Sequence, residues 1–122
     1  MKAESWAALL DDRPPAIRET AEALEAVLRE EIPDAVIRFD RGNGLLAVGR
    51  DLSMKGLLFA IIPHAGWVNL QLADGAVLPD PAEIVEGTGK RIRHVKVRSP
   101  EMARDSRVVA LIRAQAAARQ AG

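Results

Sequence analysis

The sequence contains no cysteine. That excludes disulfides, thiolate nucleophiles, iron–sulfur clusters and cysteine-bound zinc. It has no tyrosine and only two tryptophans and two phenylalanines, so stacking platforms for bases are scarce. This argues against nucleic acid as a partner. Its longest apolar run, Leu57–Ile62, stops at Pro63, far short of the roughly 20 residues that span a bilayer. At the N-terminus the apolar stretch Trp6–Leu10 is halted by Asp11 and Asp12, too early for a signal peptide. The expectation is therefore a cytoplasmic protein with no membrane partner. Two histidines cannot close a zinc site, which wants at least three protein ligands. None of Ser5, Ser53, Ser99 and Ser106 sits in a G-x-S-x-G turn. With no nucleophile–base pair to assemble, the chain reads as non-enzymatic.

What is present is charge, balanced in total and unbalanced along the chain. Seventeen bases meet seventeen acids. Residues 1–31 hold eight acids against four bases, whereas residues 90–122 hold nine bases against two acids. Length and an apolar fraction of 48% suit one domain with a core of its own, spanning 1–122.

Ile17, Ala21, Leu24, Leu28 and Ile32 recur at helical spacing over 15–32. Pro14 and Pro15 suit the start of this helix, Pro33 ends it, and Asp11 and Asp12 precede it where its dipole favours negative charge. Residues 1–13 read as a short extension, with a helical turn available over 4–10. From 35 the period changes. The runs 35–40, 45–48, 57–62, 67–72 and 94–98 are short, apolar and bounded by turn residues, which is the signature of strands. Arg41–Gly44 and His64–Gly66 read as hairpin turns. Val68, Leu70 and Leu72 alternate with Asn69 and Gln71, so that strand has one wet face. Residues 73–89 carry no strand pattern, with one helical turn capped by Asp80 available at 81–86. Ser99, Pro100 and Glu101 read as cap, first residue and first-turn acid of a last helix running to about residue 120, with a frayed tail at 117–122. The order predicts an α+β two-layer sandwich, an antiparallel sheet of about five strands covered by the N- and C-terminal helices. An unprotected edge strand would permit a homodimer.

Two constellations could hold a ligand. Gly87-Thr88-Gly89-Lys90 lacks the spacing and following helix of a P-loop. It leads, however, into the basic run Lys90, Arg91, Arg93, His94, Lys96 and Arg98. Thr88, Lys90, Arg93 and His94, with Trp67 as an apolar wall, are candidates for binding a small anion. The bland alternative is a solvated strand face balanced by the acidic first helix, with the glycines serving a tight turn. On that helix Glu19, Glu22 and Glu30 fall opposite Leu24 and Leu28. Their carboxylates could hold a hard cation such as iron, calcium or magnesium. Arg18 and Arg29 project near them and oppose it.

From His64 the spaced motifs Val68-Asn69-Leu70, Leu78-Pro79-Asp80-Pro81, Glu86-Gly87-Thr88-Gly89-Lys90, Arg93-His94-Val95-Lys96 and Ser99 follow in order. Over 64–99 the chain resembles the bacterial family known as domain of unknown function 1801. The resemblance implies a frataxin-like fold and an uncharacterised bacterial protein. Some members of the family act as intracellular iron chaperones, which would make ferrous iron the cargo and the acidic helix its seat. The segment Phe39–Gly44 departs from the family's aromatic–Gly–x–Pro pattern: the aromatic is kept as Phe39, the Gly–x–Pro spacing is not.

Overall fold

The computed structural model describes residues 2–119. Helix α1 (Trp6–Asp11) is capped by Ser5, whose hydroxyl accepts from the Ala8 N–H at 3.1 Å. Helix α2 (Pro15–Glu31) begins on Pro15 and buries Ile17, Thr20, Ala21, Leu24, Val27 and Leu28. Asp11 and Asp12 precede α2 in the chain but belong to the element before it. They close α1, with Arg13 and Pro14 between them and the second helix. The extension is thus a packed element, with Leu9 and Leu10 in the core.

Five strands carry most of the sheet: β1 (Val36–Asp40), β2 (Leu45–Gly49), β3 (Leu57–Pro63), β4 (Val68–Leu72) and, after the two-residue β5 (Val85–Glu86), β6 (Arg93–Val97). All pairs are antiparallel and the order is β1-β2-β3-β4-β6-β5. The sheet therefore has six strands, one more than the sequence pattern suggests. Asp80 explains the difference. Its carboxylate accepts the Ile84 and Val85 N–H groups at 3.0 Å each, so the segment closes as a turn and not as a helix. Val85 and Glu86 leave that turn extended and pair with Val95 and His94. The hairpin turns are where expected. The Gly44 N–H reaches the Asp40 carbonyl with Gly44 at φ +63°, and the His64 N–H reaches the Trp67 carbonyl at 2.8 Å.

The final helix is two helices, α3 (Pro100–Ala103) and α4 (Ser106–Ala118). Ser99 caps the first through the Met102 N–H, and Asp105 caps the second through the Arg107 N–H. A second capping residue inside the pattern restarts the helix because its carboxylate competes for backbone N–H groups. Of the expected frayed tail, Ala117 and Ala118 are helical and Arg119 is anchored; 120–122 lie outside the described residues.

Strand alternation sorts side chains onto two faces. Leu46, Val48, Phe59, Ile61, Val68, Leu70, Leu72, Val95 and Val97 share one face and cluster with Leu24, Leu28, Val108 and Ile112 of the helices. Helix α2 lies against β3 and β4 there. Asn69 and Gln71 take the other face, as their alternation predicts. Among the described residues no helix is long and apolar enough to cross a membrane.

Candidate functional site

On the face turned away from α2, the ladders align Arg38, Ala47, Ala60, Gln71, His94 and Glu86 as one row across the sheet. The next row is Asp40, Leu45, Ile62, Asn69 and Lys96. The two alanines leave the middle of the first row low. Ala60 is only 1% exposed although it does not belong to the helix-packed core cluster. A groove of about 170 Å³ results, floored by Ala47, Gly49 and Ala60 and walled by Val36, Leu45, Leu52, Met54 and Leu57. Leu52 and Met54 are 60% and 77% exposed, which is costly display for apolar side chains with nothing to cover. The polar groups on its rim are Arg38, Gln71, Asp40, Asp51 and Ser53.

The 50–56 loop that supplies one wall is fixed at both ends. Gly49 admits no side chain, because a Cβ there would lie 2.5 Å from the Gly56 carbonyl oxygen. At the far end Arg119 donates to the carbonyls of Met54, Lys55 and Leu57 at 3.2, 3.3 and 3.1 Å. Arg119 is itself held by Asp74, a buried carboxylate that also accepts from Arg91 at 2.6 Å and Gln115 at 2.8 Å. Arg119's hydrogen bonds, aided by Gln115 and Arg91 and opposed by burial, keep the Asp74 carboxyl well below its ordinary range.

Farther along the same face sits a self-contained polar cluster. The Trp67 Nε1–H donates to Asn69 Oδ1 at 2.8 Å. That contact fixes the amide, so Asn69 Nδ2 donates to His64 Nε2 at 3.1 Å. The His64 ring stacks on Trp67 at 5.2 Å, and Lys96 Nζ lies 4.7 Å from the Trp67 ring centroid while pairing with Glu86 at 3.6 Å. Trp67 is thus occupied by its own neighbours.

The sequence candidates do not converge on one pocket. Arg93 and His94 are consecutive on β6 and point to opposite faces, Arg93 with Val95 and His94 with Lys96. Arg93 donates to the Gly89 carbonyl at 3.0 Å. Thr88 and Lys90 are exposed. The glycines serve the turn: Gly87 has φ +116°, and a Cβ on Gly89 would collide with the Ile92 carbonyl oxygen. On α2, Glu19 and Glu22 are exposed and Glu30 is engaged by Arg104 at 3.1 Å. Among the described residues no group of three or more histidine or carboxylate side chains is placed to hold a metal ion.

The groove residues escape a motif-based reading because alanine, glycine and leucine announce no chemistry. The available signal is the run Leu57–Ile62, apolar on both parities, in a sheet with too few helices to cover both faces. No family model, curated protein or solved structure matches the chain.

Proposed function

We propose that the protein is a small non-enzymatic binding module, a frataxin-like sandwich whose helices cover one sheet face and whose other face takes a short apolar ligand bearing one acidic group. The observation that carries this reading is the alanine-floored groove with Arg38 on its rim. Its volume of about 170 Å³ is below that of sites for drug-sized molecules, which favours a short ligand. Apolar walls supply area, and a guanidinium at one side supplies orientation through a charge-assisted contact. The rim carboxylates support binding over catalysis. Asp40 is held below its ordinary range mainly by the Asn43 side chain, and Asp51 mainly by the Ser53 hydroxyl. Carboxylates this acidic are weak bases near neutral pH, so neither is poised for proton transfer.

Hexanoate and hexanol, followed by amide chemical shifts, test the reading. Hexanoate shifts the amides of Ala47, Leu57, Ala60 and Gln71. Ala47→Leu fills the floor and abolishes those shifts. Arg38→Gln weakens hexanoate about fivefold and leaves hexanol unchanged, the loss of one partly exposed charge-assisted bond. Shifts that map to the helices, or that survive Ala47→Leu, would overturn it.

A further inference from the structure

A second concavity, of about 480 Å³, lies between the N-terminal segment and the β1–β2 turn. It is lined by Lys2, Arg13 and Arg41, with Asp12 the one lining carboxylate. This is a local inversion of charge, since residues 1–31 hold twice as many acids as bases. Two of the cations are braced. Lys2 Nζ donates to the Gly42 carbonyl at 2.9 Å, and Arg41 Nη2 donates to Glu4 Oε1 at 2.7 Å. Each keeps further N–H donors. Arg13 is half-buried, and among the described residues no hydrogen bond or ion pair engages its guanidinium.

Two of the turn's backbone N–H groups are already taken. Asp40 already accepts the Asn43 N–H through its carboxylate and the Gly44 N–H through its carbonyl. Gly44, at φ +63°, packs the turn against Leu9, with a Cβ position 3.5 Å from the Leu9 Cδ1 atom. The turn is thereby fixed to α1, and the three cations are held around a space of set shape. Two guanidiniums and an ammonium around an open polar cleft match tetrahedral oxyanions, which accept several N–H donors at once.

We propose that the cleft between α1 and the Arg41–Gly44 turn is a binding site for a small phosphate-bearing molecule, held by Lys2, Arg13 and Arg41. It is separate from the groove, which lies on the sheet face, and from the basic strand β6.

Calorimetric and amide-shift titrations of the full chain with pyrophosphate, inorganic phosphate and sulfate at low ionic strength test this. The expected result is binding of pyrophosphate, tighter than that of sulfate, with shifts confined to residues 2–13 and 41–44 and affinity falling as salt rises. Arg13→Gln and Arg41→Gln each weaken it about tenfold. Lys90→Gln and Arg98→Gln, which alter the other basic segment, leave it unchanged. Stronger binding of phosphate than of pyrophosphate would narrow the ligand to a monophosphate and still support the site. The proposal is overturned if no anion binds, if the shifts map to β6, or if Arg13→Gln and Arg41→Gln bind as the parent does with intact amide spectra. Equal affinity for sulfate and both phosphates would also overturn it, showing only a diffuse positive field.

Discussion

Asp74 is buried at the end of β4 and carries more contacts than any surface charge needs. Arg119 and Arg91 neutralise it, and Gln115 both donates to its carboxylate and accepts the Asp74 backbone N–H at 2.6 Å. Removing one partner of such a group is expensive, because the others are left with unpaired polar atoms. Asp74→Asn should cost about 3 kcal/mol at neutral pH. The pH dependence has a definite sign. The folded-state value lies below the ordinary 3.8, so the ionised carboxylate's stabilisation is whole above that value and is lost as the pH falls below it toward the folded value. Urea unfolding at pH 7 and at several points below pH 4 should show the parent losing stability more steeply than Asp74→Asn. Parallel profiles would mean that Asp74 contributes nothing specific. The sequence holds little warning of this centre: Asp74, Gln115 and Arg119 are far apart in the chain, and the acid sits in a segment with no strand or helix period.

At the scale of elements, periodicity and turn chemistry made most of the fold legible. Helix α2 shows its apolar stripe, and the runs expected as strands end within a residue of the observed bounds of β1 to β4 and β6. What stayed hidden has a common physical cause. The break between α3 and α4, and the turn that makes β5 possible, are both imposed by an aspartate side chain bonding to backbone N–H groups. Such bonds leave no periodic trace. A further hidden feature is the register shift between Val48 and Gly49 in the β2–β3 ladder. It turns the chain into the 50–56 loop and sets one wall of the groove. Gly49→Ala would place a Cβ 2.5 Å from the Gly56 carbonyl oxygen, which is backbone and cannot rotate away. The expected cost is about 2 kcal/mol, read as a lower urea midpoint at constant slope. Hexanoate binding should weaken with it, and an unchanged midpoint would show that the loop yields freely.

For the whole molecule, the division of charge along the chain becomes partly a matter of how the helices meet. Glu30 and Glu31, near the end of α2, pair with Arg104 and Arg113 from the C-terminal part of the chain. The basic segment 90–98 is balanced differently, Lys96 on β6 by Glu86 and Arg91 ahead of it by Asp74. The general expectation of compensation between acidic and basic ends therefore holds for the helices and not for β6. The sequence could not separate these cases, because pairing partners more than seventy residues apart are chosen by the packing. The groove was equally illegible, since its floor depends on which alanines face each other across β2 and β3. The helix pairs permit a direct check. Arg104 engages Glu30 through both terminal nitrogens, at 3.1 and 3.3 Å. Arg104→Glu replaces attraction with repulsion and should lower the melting temperature. Adding Glu30→Arg restores an opposite-charge pair and should recover most of the loss. Both side chains are more than half exposed, so the effect should be small and should fade as ionic strength approaches about 1 M. If the double reversal melts no higher than the single one in low salt, the Glu30–Arg104 pair has no part in holding α2 to the C-terminal part of the chain.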